Sequence, residues 1–166
     1  MGASICVLTL PLWTGGILFA LGDVLDYLDG DLARRQGTNS KEGAIFDAAL
    51  DRYTDFLVIG ALTYLTVVLL ERHPDFLIGH LSFLTSEAAL VLGLAALLGA
   101  TLTPYVRAKT EAEGKSSVAT IGDRGVRNHI LVVGLLLSQP SWTLVALAVV
   151  ANWAAIHRLA HAMRRE

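Results

Sequence analysis

The chain has 166 residues, 54% of them hydrophobic, with a mean hydropathy of +0.55 and a formal net charge of −2. Charged residues make up 17%, below the roughly 25% of soluble domains. That excludes an ordinary soluble fold and leaves an all-α, polytopic membrane protein, one domain over residues 1–166. The single cysteine, Cys6, excludes an internal disulfide, and a net charge near zero gives no reason to expect a nucleic-acid partner.

Five apolar stretches follow one another. The first covers about residues 3–25 and carries Pro11; without a small-residue cleavage site it reads as a retained span. The second runs from the Asp47/Asp51 turn through Leu70, the third covers about 86–106, the fourth about 126–138 and the fifth about 142–157. A span needs roughly 20 apolar residues. The fourth and fifth are therefore expected to recruit their polar ends, Arg124 to Arg127 and Arg158 to His161. Gly15, Gly16, Gly93, Gly99 and Gly134 are expected at close helix contacts, because small residues drive packing in lipid. Trp13, Trp142, Trp153 and Tyr105 suit interface belts.

Polar connections alternate between the two ends: residues 34–46, then His73-Pro74-Asp75 with an interfacial apolar patch at 76–83, then 107–124, then Ser138-Gln139-Pro140-Ser141. Threading the spans back and forth puts Arg34, Arg35, Lys41, Arg52, Arg107, Lys109, Lys115, Arg124, Arg127, Arg158, Arg164 and Arg165 on one side, with only Arg72 on the other. That asymmetry marks the basic side as cytoplasmic. The expected location is the cell membrane, multi-pass, with the active face toward the cytoplasm.

The same side carries the most informative run. It reads Asp26-x2-Asp29-Gly30-x2-Ala33-Arg34, then eight residues, then Gly43-x3-Asp47-x3-Asp51. The spacing puts Asp26 and Asp29 on one helix face and Asp47 and Asp51 on one face of the next. Carboxylates crowded at a membrane boundary repel and are costly to desolvate unless they share divalent cations. Small residues at Gly30 and Ala33 let a nucleotide lie against the backbone, and Arg34 supplies a positive fork for phosphate. Asp23 and Asp31 fall outside the pattern and read as polar contacts, while Asp55 and Asp75 read as ordinary acidic residues. His157 and His161 share a helix face but lack an accompanying carboxylate, so they read as interfacial.

This pattern resembles the signature of the CDP-alcohol phosphotransferases at every motif position. The resemblance implies a six-transmembrane-helix fold, here with the first helix shortened or missing. It also implies transfer of a phosphatidyl or archaetidyl group from a CDP-linked lipid to a polar alcohol, with release of CMP. Asp26, Asp29, Asp47 and Asp51 would hold Mg2+ or Mn2+, two ions, and Asp51 would also be the general base. Asp29, Gly30, Ala33, Arg34 and Gly43 would border the CDP moiety. Membrane lipids and a homodimer are the implied partners.

A second cluster decides the acceptor. Thr103-Pro104-Tyr105-Val106-Arg107-Ala108-Lys109, the later Arg124-x2-Arg127 and Arg158 look like the phosphatidylinositol-phosphate synthases of actinobacteria and the archaetidylinositol-phosphate synthases of archaea. By that resemblance Arg107, Lys109, Arg124, Arg158 and Thr103 would bind the acceptor's phosphate, with Arg127 less directly involved. Inositol 1-phosphate is the expected acceptor and glycerol 3-phosphate the alternative. An ion or proton transporter would instead spread its acids along a path through the bilayer, and an inactive family member is the third alternative.

Overall fold

A computed structural model describes residues 11–36, 40–72 and 84–164. Among these residues the chain is entirely helical: α1 Leu12–Gln36, α2 Lys41–Arg72, α3 Ser86–Ala112, α4 Arg124–Leu136 and α5 Pro140–Ala162. Residues 1–10, which bear on the expected shortened first helix, lie outside the described residues, as do the patch at 76–83 and Asp75.

Each helix start has a local cause. The Pro11 carbonyl accepts from the Thr14 amide at 2.9 Å and from the Thr14 hydroxyl at 2.7 Å, opening α1. Ser40 Oγ accepts from the Gly43 amide at 2.9 Å, and Thr85 and Asp123 cap α3 and α4 through the amides of Ala88 and Val126. These oxygens satisfy donors that a helix leaves unpaired at its first turn. Pro140 opens α5, where its missing N–H costs nothing.

Two polar connections are shorter than expected. α1 runs through Gln36 and α2 starts at Lys41, so most of the 34–46 link is helical. α3 likewise continues to Ala112 despite Pro104, which puts Arg107 and Lys109 on a helix. Arg107, Ala108, Lys109, Glu111 and Ala112 are strong helix formers and favour the continuation.

α3 and α5 form the central pair. α2 packs on α3, α1 on α4, and α4 on α5. Alanine and glycine let the central backbones meet: Ala89, Ala96, Ala100, Ala151 and Ala154 are buried. A Cβ added at Gly99 would come within 2.6 Å of the Ala151 carbonyl carbon, so only glycine fits there. Gly16, Gly93 and Gly134 also sit at tight contacts, as expected for small residues between membrane helices. Leu62 on α2, Leu135 on α4 and Leu144 and Leu147 on α5 fill the remaining core.

α2, α3 and α5 are long and apolar enough to cross a membrane. Leu94, Leu98, Val149, Trp153 and Ile156 stay exposed, which in lipid is no liability. The fifth stretch thus reaches span length as the helix Pro140–Ala162. The fourth does not: α4 has 13 residues, about 20 Å at 1.5 Å per residue.

Candidate active site

The first turn of α4 is the hub. Arg124 Nη1 lies 2.7 Å from Asp51 Oδ1 on α2 and 3.2 Å from Asp26 Oδ2 on α1. One turn further along α4, Asn128 donates to Asp23 Oδ1 on α1. On the other flank Arg127 Nη2 lies 3.1 Å from Asp55 Oδ2 on α2, and Arg127 Nη1 donates to the Gly122 carbonyl at 3.3 Å. Arg52 Nη2 lies 3.4 Å from the same Asp55 oxygen, and Arg52 Nη1 donates to the Ala100 carbonyl on α3 at 2.9 Å. Neither α1 nor α4 packs extensively against α2, so these long side chains supply the connection.

A cavity of about 290 Å³ opens beside the hub. Arg52, Arg107, Arg124, Arg127 and Arg158 line it together with Asp51, Asp123 and Thr103. Five guanidinium groups and two carboxylates line it, and Arg107 Nε also lies 2.9 Å from Glu111 Oε1. Arginine forks match phosphate oxygens two at a time. Arg158 is buried, with Nε donating to Thr120 Oγ1 at 3.3 Å. The Thr103 hydroxyl already donates to the Gly99 carbonyl at 2.8 Å and lies 3.2 Å from the Ala151 carbonyl. It can therefore offer an anion little. Lys109 does not line the cavity; it is exposed and paired with Glu113.

Of the expected metal and nucleotide residues, Asp26 and Asp51 converge on one cation, the Arg124 guanidinium. Asp47 lies one turn before Asp51 on α2 and is exposed, as is Asp29 on α1. Gly30 is half-buried on α1, and Gly43 sits in the first turn of α2. Ala33 and Arg34 fall in the last turn and a half of α1; their side chains lie outside the described ones. Among the described residues no group of three His, Cys, Asp or Glu side chains is assembled for a metal ion. The donor chemistry nevertheless fits a hard divalent cation: all four candidates are carboxylates, and two of them already share a positive group.

A larger apolar groove, about 670 Å³, runs along α4 and α5 from Val126 past Ile130, Val133 and Leu137 to Trp142. Its Val126 end adjoins the hub. The sequence reading missed Asp55, Arg52 and Asn128. A signal existed for Asp55 and Arg127: Asp55 follows Asp51 by four residues and Arg127 follows Arg124 by three, so each repeats its predecessor one helical turn on.

The profile of the CDP-alcohol phosphatidyltransferase family matches residues 3–158. The chain is 36% identical over 149 residues to a bifunctional IPC transferase and DIPP synthase of Rubrobacter xylanophilus, covering 87% of this chain and 30% of that protein. It is 34% identical over 156 residues to a phosphatidylinositol phosphate synthase of Cutibacterium acnes, covering 89% and 68%. A Mycolicibacterium smegmatis phosphatidylinositol phosphate synthase is 30% identical over 143 residues, with 86% and 58% covered. The chain thus spans less than two thirds of several relatives. Among solved structures, the Mycobacterium tuberculosis phosphatidylinositol phosphate synthase with CDP-DAG bound superposes with a TM-score of 0.74 at 23% identity, over 99% of this chain and 85% of that one. The fold is the same. With its aspartate signature intact and the profile matched over nearly its whole length, the chain belongs to the CDP-alcohol phosphatidyltransferase family.

Proposed function

We propose that the protein transfers a phosphatidyl or archaetidyl group from a CDP-linked lipid to inositol 1-phosphate and releases CMP. The observation that carries this reading is the position of Arg124, which touches Asp51 and also lines the basic cavity. A carboxylate able to take a proton and a pocket able to hold a phosphate are therefore adjacent. An alcohol that carries its own phosphate is the substrate such a pair suits.

Asp51 would accept the proton of the attacking hydroxyl. The acceptor oxygen forms a bond to the lipid-bearing phosphorus, the bond from that phosphorus to the CMP oxygen breaks, and CMP leaves. Arg107, Arg124 and Arg158 would hold the acceptor's phosphate, with Thr103 beside them and Lys109, paired with Glu113, outside the cavity. Gly30, Ala33 and Gly43 would leave room for the CDP moiety beside Asp29, and Arg34 would pair with its phosphates. Two Mg2+ or Mn2+ ions, held by Asp26, Asp29, Asp47 and Asp51, would neutralise the pyrophosphate charge. The apolar groove that begins at Val126 supports a donor with a hydrocarbon tail.

The related Mycobacterium tuberculosis enzyme has been solved with manganese and citrate, which supports the metal assignment. Arg107, Arg124, Arg127 and Arg158 share one end of the bundle, which supports a cytoplasm-facing site in the cell membrane. A homodimer follows by family resemblance.

The test is CMP release by the purified protein with CDP-diacylglycerol, magnesium and each acceptor in turn. Inositol 1-phosphate is expected to give the fastest release. Release with unphosphorylated inositol or serine alone would overturn the phosphate-acceptor assignment, a preference for glycerol 3-phosphate would reassign the alcohol, and no release with any acceptor would sink the enzyme reading.

A further inference from the structure

Four of the five arginines that line the cavity face a carboxylate. Arg52 and Arg127 meet Asp55, Arg107 meets Glu111, and Arg124 meets Asp51 and Asp26. Arg158 differs. It lies one turn before the end of α5, is 7% exposed and, among the described residues, makes no ion pair. Its one hydrogen bond runs from Nε to Thr120 Oγ1 at 3.3 Å. We propose that Thr120 is a positioning residue: it holds Arg158 by Nε and so leaves both Nη groups for the acceptor's phosphate. The proposal rests on the phosphate-acceptor reading of the cavity given above.

The chemistry of the pair favours this division of labour. A guanidinium carries one N–H on Nε and four on its two Nη atoms. With Nε engaged, the remaining fork is the one that meets two phosphate oxygens side by side. A carboxylate in place of Thr120 would also orient Arg158, but it would neutralise the charge and compete with the phosphate. A hydroxyl orients the guanidinium and leaves its charge intact.

Thr120 is itself held against α5, the helix that carries Arg158. On one side of it, Lys115 Nζ donates to the Ala162 carbonyl at 3.0 Å. On the other, Gly122 has φ 114, and a Cβ there would lie 2.7 Å from the Val150 carbonyl. The connection between α3 and α4 is thus pinned to α5 before and after Thr120. Thr120 is half-buried and does not line the cavity, so its route to a substrate runs through Arg158.

The experiment uses the protein in nanodiscs and compares wild type, Thr120→Val, Thr120→Ser, Arg158→Ala and the double variant Thr120→Val/Arg158→Ala. It reads KM for inositol 1-phosphate and for CDP-diacylglycerol separately, and the calorimetric Kd for inositol 1-phosphate, which needs no turnover. Thr120→Val keeps the shape of the side chain and removes the acceptor oxygen. It is expected to raise acceptor KM and Kd by about five- to tenfold, with donor KM within about twofold. Thr120→Ser restores the oxygen and is expected to stay within about twofold of wild type. In the Arg158→Ala background, Thr120→Val is expected to add less than about twofold, because the group it orients is gone. Unchanged acceptor KM and Kd in Thr120→Val overturn the proposal. An equal penalty with and without Arg158 overturns it too, since Thr120 would then touch the acceptor itself. So does a parallel rise in donor and acceptor KM, which marks general damage to the connection. Should Thr120→Val fail to fold, Thr120→Ala takes its place in the same comparison. Wild-type protein that releases no CMP with any acceptor fails the transferase reading and this proposal with it; wild-type turnover alongside an unaffected Thr120→Val fails only the proposal.

Discussion

Arg124 is the residue on which the site turns. Its guanidinium lies between carboxylates from two helices and forms part of the wall of the arginine-lined cavity. Removing it as Arg124→Ala deletes a charge-assisted contact worth about 2 kcal/mol, so acceptor KM should rise roughly 30-fold while donor KM moves far less. An unchanged acceptor KM in steady-state CMP release would take Arg124 out of the pocket's function. Asp51→Asn keeps the size of the side chain but cannot take a proton. It should lower kcat by about 10²- to 10⁴-fold, while Mn2+ titration still detects partial metal binding through the remaining carboxylates. Full turnover by that variant would remove Asp51 as the base. Asp26 and Asp51 were legible in the sequence because the motif fixes their spacing. Asp55 was not, because one aspartate four residues on from another is common on helix faces, and its importance arises from Arg127 on a distant segment.

At the level of elements, the helices and their small-residue contacts were largely legible. Gly99 sits where the α3 and α5 backbones touch. Gly99→Val should cost about 1–3 kcal/mol by overpacking, read as a lower melting temperature in detergent. Gly60 on α2 has nothing within 4 Å of an added Cβ, so Gly60→Ala should be neutral or stabilise by up to about 1 kcal/mol. Equal effects at the two positions would mean that close backbone approach does not govern this packing. The fourth stretch was expected to reach span length by recruiting Arg124 to Arg127, yet α4 has only 13 residues with them included. The helical continuation of α1 through Gln36 and of α3 through Ala112 was not anticipated. Charged residues there looked like connecting loops, yet lysine, arginine, glutamate and alanine propagate a helix well once packing has nucleated it.

The whole molecule is polarised. Arg107, Arg124, Arg127 and Arg158 gather at one end, and Lys115 joins them by donating to the Ala162 carbonyl at 3.0 Å. The α4–α5 turn, with Ser138 at φ 54, closes the other end. In a Cys6→Ser background, Ser116→Cys should react with a membrane-impermeant maleimide only from the cytoplasmic side, and Leu137→Cys only from the opposite side. Both side chains are exposed. Labelling of both from one side would contradict the orientation.

By itself the sequence determined the class of the protein. Hydropathy and basic-residue asymmetry specify a helical membrane bundle with one charged end, because water, lipid and membrane orientation act on local composition. The aspartate signature determined the family, because fixed spacing on a helix dictates which side chains share a face. Only the tertiary structure decided which charges work together. It put Arg124 between Asp26 and Asp51, buried Arg127 on Asp55, and left Lys109 paired with Glu113 outside the cavity. Those outcomes depend on the angle and register at which separate helices meet. Residues 51 and 124 have no local relation that a linear pattern can express; packing of small residues between α3 and α5 and along α4 brings them within hydrogen-bond reach.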